Sequence, residues 1–195
     1  MHHLRAFDLF SQLGDMIGQG RSLLDVSQGF ELQKRIREAL EPISRALPLF
    51  RVAGHRVGQA RALTGLGWCH AQLGENHQAL RYLRQALALT RELSDLAGEA
   101  VVMQGFGSAY HHLGRHPDAA VCYHRSLDLY RELGDLYNQA EVLSEFGNAR
   151  YGAGDRRGAR DAWRQALGIF DDLHHPDADR LRARLGEDDR ATEVS

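Results

Sequence analysis

Apolar residues recur along the chain at helical spacing, in stripes that are separated by short polar breaks. Between residues 57 and 72 the stripe consists of Val57, Ala60, Leu63, Leu66 and Ala71. Leu73 and Gly74 interrupt this stripe, and a second one follows over residues 79–89. Spacing of this kind predicts two amphipathic helices. A glycine at the break supplies the positive φ angle that ends the first helix.

The pattern returns every 40 residues, without insertion or deletion between residues 4 and 175. One column of glycines lies within the first helices (Gly67, Gly107, Gly147) and another ends them (Gly74, Gly114, Gly154). Self-similarity at a fixed period is typical of solenoids, in which each unit packs on its neighbours. Helices should therefore begin near residues 56, 76, 96, 116, 136 and 156. Asp95 and Asp135 stand where the N-cap of a first helix belongs.

These columns resemble the tetratricopeptide repeat. On the first helix, the family's large residue, Leu-Gly pair and Tyr-like residue match Leu63, Leu66, Gly67 and His70; Met103, Phe106, Gly107 and Tyr110; and Leu143, Phe146, Gly147 and Arg150. On the second helix, its Ala, aromatic and Ala match Ala79, Leu83 and Ala86; Ala119, Tyr123 and Ser126; and Ala159, Trp163 and Ala166. The resemblance implies an all-α fold, a right-handed superhelix (α-solenoid) of antiparallel helix pairs with a C-terminal capping helix.

The resemblance also implies how the chain is organised. The array would cover residues 1–186, as an unpaired second helix (4–15), an irregular repeat (16–55), regular repeats (56–95, 96–135, 136–175) and a capping helix (176–186), before a disordered polar tail (187–195). Pro42 and Pro48 should kink or displace the helix at residues 36–52. The helix at 4–15 lacks a first-helix partner, so we expect a homodimer through this apolar end, or a chain cut from a longer regulator.

Composition and charge exclude several classes of protein. The formal net charge of -2 and the pI near 6.6 argue against a protein that binds nucleic acid directly. No apolar run approaches the length of a membrane span, and the N-terminus lacks the features of a secretory signal. Two cysteines are too few for a disulfide framework. We therefore expect a cytoplasmic protein that does not enter a membrane.

No motif in the sequence predicts catalysis or a bound cofactor. The pairs Gly65-Gly67 and Gly105-Gly107 lie inside helices at the repeat period, so packing explains them better than a nucleotide-binding loop. Cys69 and Cys122 occupy helix positions that are expected to be partly buried, which is typical of inert thiols. The protein should therefore be no enzyme.

Histidines raise the question of a metal site. His111, His112 and His116 lie within six residues. Adjacent histidines on a helix point about 100° apart, and the break at Gly114 separates the last two. We therefore predict no metal, with a site formed across helices as the alternative.

The candidate site is the concave groove, which first helices line in tetratricopeptide arrays. The family's groove positions fall here on Arg61, Thr64, Trp68, Gln72, Gln104, Ser108, His111, His112, Glu141, Ser144, Asn148 and Tyr151. Core packing does not require these side chains, and Trp68 is the most suggestive because aromatic anchors dominate peptide interfaces. A merely solvated face is the alternative. The chaperone-binding members hold a C-terminal carboxylate with lysine, arginine and asparagine, and only Asn148 matches that clamp.

The 40-residue repeat unit and the connection Leu133-Gly134-Asp135 indicate a subset of tetratricopeptide proteins that the chain resembles. Such units are similar to those in C-terminal regions of actinobacterial transcriptional regulators, in kinesin light chains and in adaptors that bind G-protein regulatory peptides. We therefore expect a non-enzymatic protein–protein interaction module that binds a peptide or helix in its groove, as the regulatory or sensor part of a bacterial transcription regulator. The alternative is a small-ligand receptor or an enzyme with a pocket between the groove and the N-terminal helices.

Overall fold

The structure is a computed structural model that describes residues 2–193, with side chains from Ala6 to Glu187. Over these residues the chain forms ten α-helices and no strand. The helices are α1 (His2–Gln12), α2 (Met16–Leu32), α3 (Ile36–Val52), α4 (Arg56–Gln72), α5 (Asn76–Glu92), α6 (Leu96–His112), α7 (His116–Leu133), α8 (Leu136–Gly152), α9 (Arg156–Asp172) and α10 (Asp177–Glu193). None of them is long and apolar enough to cross a membrane.

The helices pack in consecutive pairs. α2 packs on α3, α4 on α5, α6 on α7 and α8 on α9, and each pair packs on the next. α1 and α10 cover the two ends by packing on α2 and α9. The buried apolar residues form one cluster from α2 to α6 and another from α6 to α10. This arrangement is the all-α repeat superhelix that the sequence predicts.

The helix boundaries follow from local signals in the sequence. Helices α4 to α9 begin at Arg56, Asn76, Leu96, His116, Leu136 and Arg156, the predicted positions. The N–H groups of Gly98 and Asn138 donate hydrogen bonds to Oδ1 of Asp95 (2.9 Å) and Asp135 (3.0 Å), so both predicted N-caps are confirmed. Gly74 and Gly114 have φ angles of +77° and +70° and end their helices.

Glycines inside the first helices let the paired helix approach closely. A Cβ atom at Gly147 would lie 2.4 Å from Cδ1 of Trp163, and one at Gly107 would lie 2.9 Å from the ring of Tyr123. A large side chain of the second helix therefore lies directly against the backbone of the first. Phe106 and Phe146, which directly precede these glycines, are buried in the core, as expected.

The expected displacement of the helix at residues 36–52 is wrong, and the expected kink remains a prediction. α3 runs unbroken through Pro42 and Pro48, and Ala39, Ala46 and Phe50 are fully buried. Each proline removes one backbone hydrogen bond. Packing of the buried face between α2 and α4 holds the helix in register despite that loss.

The C-terminal helix is longer than predicted. α10 continues to Glu193, so the expectation of disorder is wrong for residues 187–193. Leu181 is buried against the core, and Arg182 forms ion pairs with Asp171 on α9 and with Asp179 at 2.6 Å. Arginine, leucine, alanine and glutamate, which favour helix, continue the segment. The last two residues of the predicted tail, 194–195, lie outside the described residues.

The first helix has one packed face and one exposed face. A Cβ atom at Gly18 would lie 2.3 Å from the ring of Phe10, so this ring lies directly against α2. Leu9 is 60% exposed on the other side. The side chain of Leu4 lies outside the described residues. The homodimer through this end remains a prediction, as does the division of the chain into repeat units.

A candidate partner-binding groove

The first helices line the inner side of the curved array. α2 contacts α4, α4 contacts α6 and α6 contacts α8, whereas successive second helices have no comparable contact over the described residues. Elements that lie closer together are on the inside of a curve. The inward faces of α2, α4, α6 and α8 therefore form the concave groove, and α10 extends it, since residues of α8 and α10 line one cavity.

The α4 side chains that are predicted to line the groove differ in their exposure and in their contacts within the array. Arg61 and Gln72 are exposed. Thr64 donates a hydrogen bond from Oγ1 to the carbonyl of Ala60 at 2.9 Å, within its own helix. Trp68 is only partly exposed, because one side of its ring packs against the core. Trp68 thus contributes more to packing than the sequence predicts.

A first cavity opens in the groove between α4 and α6. Its volume is about 360 Å³, and Arg61, Thr64, Asp95 and Val101 are among the residues that line it. Val101 is 42% exposed although it is apolar. The cavity therefore combines one cation, one anion and an apolar wall.

The side chains predicted on α6 are mostly engaged with neighbouring helices. Gln104 hydrogen-bonds the carboxylate of Glu145 on α8, and Ser108 hydrogen-bonds Tyr123 on α7. The ring of His111 lies 5.4 Å from that of His112, which is exposed. Gln104 and Ser108 therefore serve helix packing as well as the groove surface.

The histidine cluster is close-packed but not arranged for a metal ion. His111 also lies 5.6 Å from His116, between ring centroids. The Nδ1 atoms of His111 and His116 are both buried without a hydrogen-bond partner. Among the described residues no group of three potential ligands is placed to hold a metal. Burial and the two neighbouring imidazoles lower the pKa of His111, which favours its neutral form.

On α8 three of the predicted residues, Ser144, Asn148 and Tyr151, contact the indole of Trp163. Trp163 Nε1 donates to Oδ1 of Asn148 at 3.1 Å and to the carbonyl of Ser144 at 3.3 Å. Ser144 is 4% exposed, so it is a buried residue rather than a free groove contact. Tyr151 is 36% exposed, and its ring lies 5.6 Å from that of Trp163.

Glu141 is the fourth predicted residue of α8. Burial, followed by the charge of Asp177, raises the pKa of its carboxyl.

Sequence reasoning missed Glu145. It lies in the repeat column that Gly65 and Gly105 occupy, where the helix faces a neighbour rather than open solvent. Burial is the main cause that raises the pKa of its carboxyl to about 7, while the hydrogen bond from Gln104 opposes the rise. An acidic residue in a column of glycines was a signal that could have identified it.

Sequence reasoning also missed two arginines at the end of the groove. Arg180 and Arg184 lie one turn apart on α10 and line a second cavity of about 420 Å³, opposite Asn148. The repeat pattern predicts this segment only as a capping helix and assigns no groove-facing role to its side chains. The spacing of four residues between the arginines was the available signal.

The two thiols show no sign of activation. Burial raises the pKa of Cys69 to about 12 and that of Cys122 to about 11. A nucleophilic cysteine needs a lowered pKa. Both are therefore protonated at neutral pH, in agreement with the expectation of inert thiols.

Comparison with known proteins decides the family. A family model of the tetratricopeptide repeat matches residues 30–92 and 99–172, more than half of the chain. The chain belongs to the tetratricopeptide repeat family. No curated protein sequence matches this tetratricopeptide protein.

Solved structures share the fold at low identity. A Rap protein complexed with competence and sporulation factor has a TM-score of 0.81 at 17% identity, with 91% of this chain and 52% of that chain covered. BtubC (BKLC) from P. vanneervenii has a TM-score of 0.79 at 16% identity, with 98% and 82% covered. A putative kinesin light chain from Podosopora anserina has a TM-score of 0.63 at 15% identity, with 89% and 87% covered. The tetratricopeptide chain thus spans about half the length of the Rap protein.

Proposed function

We propose that the groove of this tetratricopeptide array binds a peptide or helical segment of a partner protein. The observation that carries the proposal is a row of exposed polar and aromatic side chains on successive first helices: Arg61, Gln72, His112, Asn148 and Tyr151. Phe106 and Phe146 close the core beneath this row. The row is therefore available for a partner, and its aromatic and arginine members are the residue types that dominate binding energies.

The two cavities support the same proposal. They lie between α4 and α6 and between α8 and α10, so an extended or helical segment along the groove could reach both. The Rap protein of similar fold was solved complexed with competence and sporulation factor, which is a binding role for a related array. We also propose that the chain is the regulatory or sensor part of a bacterial transcription regulator and acts in the cytoplasm, which the resemblance of its repeat unit supports.

A small-ligand receptor or enzyme is the second candidate. The cavity between α4 and α6 favours it, since about 360 Å³ falls within the range of small-molecule sites. Its wall brings together a positive and a negative side chain, Arg61 and Asp95. A polar small molecule would fit this chemistry.

Co-purification with a charge-reversed groove tests the proposal. The full chain would be incubated with lysate of its native host, as wild type, as Arg61→Glu and as Arg84→Glu. Arg61 and Arg84 are both exposed, but Arg61 lines the groove and Arg84 lies on a second helix. The proposal predicts a stoichiometric protein that Arg61→Glu loses and Arg84→Glu retains. A protein retained equally by both variants, or a small molecule in native mass spectrometry of the wild type, would contradict it.

A further inference from the structure

The cavity between α8 and α10 is rich in hydrogen-bond donors. Asn148 from α8 and Arg180 and Arg184 from α10 supply its polar wall, and Leu181 and Ala183 contribute apolar surface. Glu187 is the acidic member of the lining. At about 420 Å³ the cavity holds much more than an ion or a water molecule.

The core fixes the direction of the Asn148 amide. The indole N–H of Trp163 can only donate, so the branch of the amide that faces it must be the oxygen. This contact is the 3.1 Å hydrogen bond between Trp163 Nε1 and Asn148 Oδ1. The amide nitrogen lies on the other branch, and its two N–H groups are left to donate into the cavity. Trp163 is 1% exposed, so the orientation is held by a rigid group.

Arg184 is held in place by aromatic rings rather than by a carboxylate. Its guanidinium carbon lies 4.7 Å from the ring centroid of Trp163 and 6.0 Å from that of Tyr151. Among the residues whose side chains the structure describes, it forms no ion pair. Stacking uses the face of the guanidinium and leaves its N–H edge free, which is the geometry that binds a carboxylate with two hydrogen bonds.

The charges around the cavity leave one cation for a ligand. Arg180 lies 3.8 Å from Asp177, which balances its charge, and the length of this ion pair leaves Arg180 donors to spare. Glu187 is the acidic residue of the lining. A single carboxylate matches the one lining guanidinium that lacks an ion pair among the described side chains, that of Arg184, whereas a phosphate dianion would add a second negative charge.

We propose that this pocket binds the side-chain carboxylate of a glutamate or aspartate in the segment that occupies the groove. Arg184 and Asn148 bind the carboxylate oxygens, and Ala183, which is exposed, packs against the methylene groups that precede them. Naming a protein segment as the source rests on the proposed function, whereas the carboxylate pocket does not. Apart from Asn148 its residues have no counterpart in the carboxylate clamp of the chaperone-binding members.

Two isomeric probes test the proposal without any partner. N-acetylglutamic acid α-amide has only a side-chain carboxylate, and N-acetylglutamine has only a terminal one, at equal charge and composition. Neutral N-acetylglutaminamide and inorganic phosphate complete the set. Binding to the full chain is followed through the Nε1–H resonance of Trp163 in ¹⁵N-correlated NMR spectra, with Trp68→Phe used to assign the two indole signals.

The proposal predicts a saturable shift of the Trp163 signal with N-acetylglutamic acid α-amide and none with the neutral amide. Arg184→Gln should weaken binding at least tenfold, while Arg164→Gln, an equal change of charge on the exposed side of α9, should not alter it. Asn148→Asp keeps an oxygen for the indole but replaces the two donors with a negative charge, so it should abolish binding. Asn148→Asp therefore tests the pocket even if Arg184→Gln disturbs the packing around Trp163.

Other outcomes would overturn the proposal. Tighter binding of N-acetylglutamine would assign the pocket to a chain terminus, and tighter binding of phosphate would assign it to a dianion. An equal response of wild type and Asn148→Asp would show that the pocket is not the site. Because no partner takes part, each of these results leaves the co-purification test of the groove unaffected.

Discussion

The indole nitrogen of Trp163 donates a hydrogen bond to Oδ1 of Asn148, 3.1 Å away. Trp163 is a core residue of α9 that is 1% exposed, and Asn148 is an exposed residue on the groove side of α8. The same N–H lies 3.3 Å from the carbonyl oxygen of Ser144. Packing between the helices of one pair therefore determines how a polar group faces the groove.

Trp163→Phe should separate this hydrogen bond from the packing of the ring. The phenyl ring keeps most of the buried apolar surface, so the free energy of unfolding should fall by about 1–2 kcal/mol, from the lost hydrogen bond and the smaller volume. Trp163→Ala should lower it by about 3–5 kcal/mol. Urea denaturation measures both values. Equal losses for the two variants would contradict the assignment of the larger part to packing.

Two glycine-to-alanine changes should have opposite effects on stability. At Gly147 a Cβ atom would lie 2.4 Å from Trp163, so Gly147→Ala should lower the free energy of unfolding by about 1–3 kcal/mol. At Gly168, on α9, a Cβ atom meets nothing within 4 Å, and Gly168→Ala should raise stability by about 0.5–1 kcal/mol through helix propensity. Thermal or urea denaturation compares them. Unchanged stability of Gly147→Ala would contradict the close packing of Trp163 against this glycine.

Glu145 should make stability depend on pH. Burial raises the pKa of its carboxyl to about 7, above the ordinary value of 4.5 that applies to the unfolded chain. The folded state therefore binds more protons between these values, and the contribution of Glu145 to the free energy of unfolding falls as pH rises from about 4.5 to about 7. The loss is on the order of a few kcal/mol.

Glu145→Gln should remove this dependence. Its neutral amide takes the place of the protonated acid beside Gln104, so the variant should be more stable than wild type at pH 8 and similar to it at pH 5. Urea denaturation at a series of pH values gives the difference between the two proteins, in which the other titrating groups cancel. A difference that does not change with pH would contradict the raised pKa of Glu145.

The predicted homodimer can be tested at Leu9. This residue is 60% exposed on the outer face of α1, whereas Phe10 packs against α2 at Gly18. Leu9→Glu is therefore the better variant, because Phe10→Glu would also disturb the fold. Sedimentation equilibrium should show a dimer for wild type and a monomer for Leu9→Glu. A wild-type monomer would refute the prediction.

Local signals made the helices predictable. The turn at Gly74 and the cap at Asp95 each depend on a few adjacent residues, so the boundaries of α4 to α9 followed from the sequence. Pro42 does not displace α3, because packing on both sides of the helix outweighs a local loss of hydrogen bonding. Tertiary packing overrides local preference in such cases.

The groove was harder to predict because its positions depend on contacts between units. Ser144 and Asn148 both accept a hydrogen bond from the indole of Trp163, yet Ser144 is buried and Asn148 is exposed. Their spacing along α8 does not predict which of them is buried, because this depends on where the ring of Trp163 lies. Arg184 lies on α10, beyond the last regular repeat. The repeat pattern therefore does not show which face of α10 points into the groove.

The affinity of the partner for a groove variant tests the central claim most directly. Isothermal titration calorimetry would compare wild type, Trp68→Ala/Tyr151→Ala and the outer-face variant Arg84→Ala, after melting curves have shown that each is folded. If the groove is the binding surface, the double variant should bind at least about thirtyfold more weakly, equivalent to about 2 kcal/mol, and Arg84→Ala should bind like wild type. An unchanged affinity of the folded double variant would contradict the claim.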